Sequence, residues 1–417
     1  MRILHVITGL AAGGAEQQLR LMLRHLPERQ QCDVVTLENP GSVAQGLRED
    51  GVRVYDLGMR GNRDLAALPR LTGLIRHGRY DVVHCHLYRA CVYGRIAARL
   101  AGVRSVVATE HSLLDHSMEG RRITPGVRGL YLATEKLGRS TVAVSESVAG
   151  RLHGWGIPAH RVRLIPNGVD AARYARPAAE RTAVRKRLRA ELGLPQDAMV
   201  IGGLGRLVPG KRFDVLVDAL ALLPAAPAEP RPARLLLVGE GSERAALEQR
   251  ARTAGIADRV VFTGERDDVP DLLTAMDVLG APSTVETFGL ALLEALAAGL
   301  PVRWSSGPAL TELPPEAAPG ACWTRSEPAD YAEEFRALSR SAAGPLPTPP
   351  VVRHYDIVRL AGELATLYDE LVGCAAWRPP AQRSASTDRP VPASAATTVV
   401  PPVVPPVTAK DSRHVRQ

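Results

Sequence analysis

Residues 286–302 read ETFGLALLEALAAGLPV. A Phe-Gly-Leu turn opens an alanine- and leucine-rich helix, and two acids bracket the opening: Glu286 in the loop before it and Glu294 about one turn in. At such a helix start the backbone N–H groups of Phe288, Gly289 and Leu290 have no intrahelical acceptor, and the dipole presents its positive end. An anion such as a diphosphate is favoured there. A carboxylate accepts hydrogen bonds through two oxygens, which suits vicinal hydroxyls. The pair Glu286 and Glu294 therefore reads as a grip on a ligand that carries both phosphates and diols.

The surrounding chain alternates short apolar runs with helical stretches. In the first half the runs are RILHVI, CDVVTL, VRVYDL, DVVHCHL, RSVVAT and STVAVS, separated by segments such as AEQQLRLMLRHL and RACVYGRIAARLAG. Near-continuous apolar strands between amphipathic helices indicate a doubly wound parallel sheet covered on both faces. RVRLIPNGVD (161–170) closes this first domain with a Pro-Asn-Gly turn. A charged helical segment, ERTAVRKRLRAELG (180–193), leads into a second βα series that begins near Ala198 with MVIGGLGRL. At 417 residues the chain exceeds one ordinary core. The divisions expected are 1–175, 176–353, a helix over 354–373, and a tail over 374–417 whose Pro, Ala, Ser and Thr bias cannot bury a core. The stretch 221–233, rich in Pro and Ala, reads as an exposed connection.

Composition narrows the function classes. No run of about 18 apolar residues occurs, and Met1 leads straight into a strand and a Gly-rich turn, so a cytoplasmic protein is expected. Five cysteines, Cys32, Cys85, Cys91, Cys322 and Cys374, have no CxxC spacing and an odd number, as befits thiols of a reducing compartment. The net charge of +8 is uneven. Residues 1–175 hold 24 Arg and Lys against 15 Asp and Glu, while the remainder holds 28 against 29. A basic first half favours an anionic partner or an anionic membrane face. Aromatic content of 4%, without interleaving among the arginines, argues against nucleic acid.

Four blocks of the second half, GRLVPGKRFDVLVDAL (205–220), LLLVGEGSE (235–243), VVFTGERDDVPDLLTAMDV (260–278) and PSTVETFGLALLEALAAGLPV (282–302), follow in an order that resembles family-four retaining glycosyltransferases. The resemblance runs from about Met1 to Val372. It implies the GT-B architecture, an α/β fold of two facing Rossmann-like domains with a C-terminal helix crossing back to the first. It also implies a nucleotide-diphosphate sugar as donor, bound mainly by the second domain, and a small-molecule, glycan or lipid-linked acceptor bound mainly by the first. No resident cofactor is expected, and no metal, since the sequence has no Asp-x-Asp to hold a divalent ion on a diphosphate.

On this resemblance Glu294 holds the ribose and Glu286 the transferred sugar. Arg206 and Lys211, in GRLVPGK, stabilise the departing diphosphate; only four of the 52 cationic residues are lysines, which adds weight to Lys211. His111, in VVATEHS, contacts the transferred sugar. Gly13 and Gly14, in TGLAAGGAE, let the backbone approach the donor phosphates. This is not a GxGxxG, and no acid ends the second strand as a ribose reader, which disfavours a dinucleotide enzyme. Arg266 lies in the stretch from Thr263 whose backbone forms the base pocket, leaving UDP, GDP and other nucleotides open.

His84 and His86, in DVVHCHL, share one strand face. A metal would need two more ligands that the sequence does not make evident, and His86 remains a candidate to line the acceptor side. After the two-acid helix the chain departs from the family's regular pattern, reading PVRWSSGPALTEL (301–313), with Arg303 and Trp304 substituted and Glu312 kept near the donor phosphates. Two rivals remain: an epimerase acting on nucleotide sugars, and a catalytically silent nucleotide-sugar binder.

Overall fold

The computed structural model describes residues 1–61, 64–224, 231–340 and 344–373. The expectations for the tail 374–417, with Cys374, and for residues 225–230 of the connection 221–233 lie outside the described residues.

Two parallel sheets organise one compact unit. The first half supplies β1 (Arg2–Ile7), β2 (Gln31–Thr36), β3 (Arg53–Asp56), β4 (Val82–His86), β5 (Ser105–Glu110), the short antiparallel hairpin β6 (Ser117–Met118) and β7 (Arg121–Arg122), then β8 (Ser140–Ala143) and β9 (Val162–Leu164). Seven of them form a sheet in the order β3-β2-β1-β4-β5-β8-β9. The second half supplies β10 (Met199–Leu204), β11 (Ala233–Val238), β12 (Val260–Phe262), β13 (Val278–Ala281), β14 (Val302–Trp304) and β15 (Ala321–Trp323), ordered β12-β11-β10-β13-β14-β15. The central strands β1, β4, β5 and β10 are buried along nearly their whole length, as their unbroken apolar runs require of a sheet with helices on both faces. Each order reverses beside its first strand, so each sheet has its ligand crevice at the carboxyl ends of β1 and β4 or of β10 and β13. These are two Rossmann-like domains.

All six expected first-half strands form. The segment read as a closing turn also contributes β9, which adds to the edge beyond β8. The linking helix Ala178–Glu191 is pinned to the second domain by arginines: fully buried Arg189 and partly buried Arg185 both reach Asp277, at 2.7 Å each. The C-terminal helix Ile357–Gly373 returns to the first sheet, where its buried stripe runs from Ile357 through Leu364 to Leu371. Polar bonds set its register. Gln30 Nε2 donates to the Ala365 carbonyl at 3.2 Å, Ser105 Oγ to the Leu371 carbonyl at 2.9 Å, and Arg29 pairs with Asp369 at 2.8 Å.

Candidate active site

The second domain contributes the end of β10 and the helix Leu290–Ala297. After β10 the backbone turns sharply at Gly205 (φ 137), and a Cβ there would lie 3.6 Å from Lys211 Cε. The turn leaves Arg206 exposed and brings Lys211 back over the crevice on a single 3-10 turn. Lys211 Nζ then meets Glu286 Oε1 at 2.5 Å. The cation expected at the diphosphate and the acid expected at the sugar are thus partners of each other, with side chains 27% and 16% exposed. Both remain within reach of a ligand.

The helix Leu290–Ala297 starts behind Gly289, whose left-handed backbone (φ 104) aims the first-turn N–H groups outward. The Phe288 side chain faces the other way. It is 2% exposed and packs edge-on against Tyr355 with ring centroids 5.0 Å apart, so Phe288 anchors the turn and only its backbone is placed for a ligand. Glu294 lies one turn in, as expected, but it is not an open carboxylate. Burial holds its pKa above the ordinary range, with Tyr174, Arg173 and Lys211 near enough to oppose the rise. Tyr174, from the segment joining the domains, escapes the sequence reading because nothing local marks a tyrosine as the partner of an acid 120 positions on.

Arg266 is drawn away from the crevice: its guanidinium binds Asp268 at 2.7 Å and Glu191 at 3.3 Å. What the neighbouring backbone offers is the bridge between Gly239 and Gly264, with Gly239 N donating to Gly264 O at 2.9 Å. The irregular PVRWSSG segment also resolves structurally. Arg303 pairs with Glu334 at 2.6 Å and Trp304 is buried, so neither substituted side chain serves the donor side. Glu312, expected near the donor phosphates, reaches instead to the first domain, where it accepts the backbone N–H groups of Glu146 and Ser147.

Across the crevice the glycine loop ends at Gly13, which caps the helix Gly14–His25. The Gly14 Cα faces Leu290: a Cβ added there would meet Leu290 Cδ1 at 3.6 Å. A Cβ on Gly13 would lie 2.2 Å from the folded-back Glu16 carboxylate, so a side chain there would displace Glu16. Burial pushes Glu16 up to about 7, its own backbone N–H and Arg206 opposing the rise and Glu119 adding to it. Arg206 therefore faces Glu16 from the other domain. Glu119, at the tip of the β6–β7 hairpin, accepts from the Tyr88 backbone N–H, and burial raises its pKa as well. Neither acid is singled out by the sequence, although Glu16 occupies the third position of a helix that follows Gly-Gly, where an acid commonly folds back on the cap.

The histidines form a buried stripe on the first sheet. His5 and His84 sit side by side in the register of β1 and β4. His5 Nδ1 and His86 Nε2 are 3.0 Å apart, His86 Nδ1 and His111 Nε2 3.2 Å, while His84 bonds Tyr368 Oη at 2.5 Å and Thr109 Oγ1 at 2.7 Å. Burial takes His111 down to about 4 and His5 to about 3, and places His84 and His86 well below the ordinary value, so all four imidazoles are neutral at neutral pH. His111 closes the stripe at the crevice, its carbonyl accepting Thr287 Oγ1 of the second domain at 2.7 Å. His86 lies one imidazole further in and is 4% exposed, which puts it behind His111 and not on an open acceptor surface. The fold adds a third imidazole, His5, to the two on β4: His5, His84 and His86 each offer one ligand atom within 4.8 Å of the others. Both nitrogens of His84 and of His86 are engaged in hydrogen bonds, so the group is arranged as a chain of imidazoles.

Two family patterns match this chain, one described as Glycosyltransferase Family 4 over residues 12–173 and one as Glycosyl transferases group 1 over residues 184–344. A 2-deoxystreptamine glucosyltransferase of Streptomyces kanamyceticus is 30% identical over 74% of this chain and 82% of its own length. The chain belongs to the group 1, family-four glycosyltransferases. A UDP-Gal:alpha-D-GlcNAc-diphosphoundecaprenol alpha-1,3-galactosyltransferase of Escherichia coli is also 30% identical, with the match spanning 57% of this chain and 61% of that protein. The fold is that of the Anabaena protein HepE crystallised with UDP and glucose: TM-score 0.75 at 23% identity, covering 88% of this chain and 98% of that one. Both are GT-B folds. No helix among the described residues is long and apolar enough to cross a membrane.

Proposed function

We propose that this glycosyltransferase moves a sugar from a nucleoside-diphosphate sugar to an acceptor hydroxyl, with retention at the anomeric carbon and without a metal ion. The observation that carries this reading is the Lys211–Glu286 pair at the mouth of the helix Leu290–Ala297, opposite the glycine loop. An entering diphosphate takes Lys211 as its counter-ion and exchanges one anion for another around the ammonium. Glu286 is released by the same exchange and receives the sugar hydroxyls. Arg206 supplies a second cation from the loop after β10. Glu294, partly buried near Tyr174, accepts from the ribose.

Transfer on one face needs few groups of the protein. The acceptor oxygen bonds to the anomeric carbon as the bond to the phosphate oxygen breaks, and the acceptor's proton passes to the departing diphosphate. His111, held neutral by burial, orients the sugar by hydrogen bonding and takes no net proton. Two cations aimed at the leaving group do the work that a divalent ion does elsewhere, which supports the metal-independent reading.

For the acceptor we propose an anionic or lipid-linked molecule met at the inner membrane face. The support is the basic first half together with exposed Arg121, Arg122 and Arg128 near Leu130, which is 46% exposed on the helix Pro125–Glu135. The Escherichia coli relative, by its name, acts on a diphosphoundecaprenol-linked sugar. A second reading rests on Glu16 and Glu119, carboxyls that burial holds above their ordinary range and that an amine would relieve. It has a counterpart in the relative named for 2-deoxystreptamine. Purified protein incubated with a panel of nucleotide sugars, with nucleotide release and product anomer followed by NMR, tests the donor and the stereochemistry. Release without transfer leaves a hydrolase, and binding without release the silent binder. Acceptor panels of lipid-linked phosphates and of aminocyclitols then separate the two acceptor readings.

A further inference from the structure

One contact between the domains is built like a helix cap. Glu312 follows the short helix Pro308–Thr311 of the second domain. Its carboxylate accepts the backbone N–H of Glu146 at 3.0 Å and that of Ser147 at 2.9 Å, at the start of the first-domain helix Glu146–Gly154. That helix caps its next donor from within, Ser145 Oγ accepting Val148 N at 3.1 Å. Two first-turn donors of one domain are thus satisfied by an acid of the other, which also lies at the positive end of the helix dipole.

The opposite end of this link touches the donor site. Ala309 N donates to Phe288 O at 2.9 Å, and Gly307 Cα lies 3.4 Å from the position of a Cβ on Gly289. The helix Pro308–Thr311 is therefore seated on the turn that opens Leu290–Ala297, and Glu312 stands at its far end. Two other described contacts cross the crevice through a single hydroxyl, Ser42 to Glu265 at 2.6 Å and Thr287 to the His111 carbonyl at 2.7 Å. The first sets the Glu265 carboxylate beside the first turn of the helix Gly41–Glu49, but through a side-chain hydroxyl; neither binds backbone N–H groups of a helix start.

We infer that Glu312 is a positioning residue for transfer: a clasp that holds the two domains closed and takes its seat from the donor-binding turn. Opening returns the carboxylate and both N–H groups to water, so the contact exchanges one set of hydrogen bonds for another. A diphosphate settling on Phe288, Gly289 and Leu290 steadies the turn, and through Ala309 the clasp. The link to the donor rests on the function proposed above; the clasp itself does not.

Hydrogen exchange on the full chain tests it, comparing wild type with Glu312→Ala and Glu312→Gln, with and without millimolar UDP. Without ligand, the amides of Glu146 and Ser147 exchange at least about tenfold faster in Glu312→Ala at an unchanged melting temperature, with Glu312→Gln between the two. UDP slows those two amides in wild type and leaves them unaffected in Glu312→Ala, while protecting residues 286–294 in both. In turnover of UDP-glucose, the alanine variant admits water, raising hydrolysis relative to transfer, which a merely structural acid would not do. Equal exchange at 146 and 147 in wild type and Glu312→Ala overturns the clasp. Protection at 286–294 without any response at 146 and 147 overturns its coupling to the donor. If UDP, GDP and other nucleoside diphosphates all fail to protect 286–294, the donor reading falls and the coupling with it, and the ligand-free comparison alone decides the clasp.

Discussion

The two domains share a fold and present opposite kinds of chemistry to the crevice. On the second-domain side the key groups are charges in partial contact with solvent: Arg206 is exposed, and Lys211 and Glu286 hold each other at 2.5 Å. On the first-domain side they are neutral imidazoles stripped of water, with His5, His84 and His86 at 0%, 0% and 4% exposure behind His111. A charged ligand such as a diphosphate can replace one partner of an ion pair at little desolvation cost, because its own charge takes over the vacancy. A buried imidazole row offers hydrogen bonds of fixed direction and no charge. The difference suits a crevice in which the donor is gripped by charge and the sugar is oriented by geometry.

The largest effect expected falls on the charged side. Lys211→Ala should lower nucleotide release by about 10²–10³, the scale seen when one group stabilising a developing negative charge is removed. Steady-state rates within threefold of wild type would mean the ion pair with Glu286 is structural and the contrast between the domains misdrawn. Next, Glu294→Ala should weaken donor binding by roughly 1.5 to 3 kcal/mol with the fold intact. Calorimetry with the preferred nucleoside diphosphate checks this, and unchanged affinity would remove the ribose assignment.

Acid should find the other side. The four imidazoles titrate below their ordinary value of 6.5 in the fold, so the unfolded chain takes up protons first and their contribution is lost as pH falls below 6.5. Glu16 and Glu110, raised by burial to about 7, act oppositely: their contribution is complete below 4.5 and lost as pH rises through 7. Glu119 and Glu294, also raised by burial, act with them, and against these carboxyls the four imidazoles add a downward slope of the melting temperature between pH 7 and pH 5. His5→Asn should flatten that slope; an equal slope in the variant would show that the stripe is hydrated in solution.

Smaller still, Arg121→Glu with Arg122→Glu should reduce binding to anionic vesicles a few-fold in low salt, and added salt should erase the difference. Sedimentation with vesicles that is indifferent to both would leave this face a solvated surface. No change at all is expected from EDTA. Turnover that collapses with chelator and returns with magnesium or manganese would put a metal where two cations are proposed.

Much of this arrangement is visible in the chain itself. The apolar runs locate all six expected strands of the first sheet, and Gly289 before an alanine-rich run marks where the helix Leu290–Ala297 begins. The charged residues nearest that helix, Lys211 and Glu286, are named by motif. Phe288 shows the limit of such reading, because its backbone was the point of interest while its side chain belongs to the core beside Tyr355. Arg266 and Arg303 show another: an arginine near a site in sequence goes to whichever acid is closest in space, here Asp268 with Glu191, and Glu334. Tyr174 and His5 carry no local signal, since each acquires its meaning from a neighbour on another element.

What the sequence determined by itself is therefore the kind of each element, the family, and the residues that stand at strand and helix ends. Strand periodicity, glycine turns and helix starts are interactions within about ten residues, legible wherever they occur. Only the tertiary structure decided the partners. Lys211 meets Glu286 over 75 positions, Glu146 meets Glu312 over 166, and His84 meets Tyr368 over 284. Those pairings depend on which strands lie side by side and how two sheets face each other, and the free energy that selects them comes from burial summed over both domains.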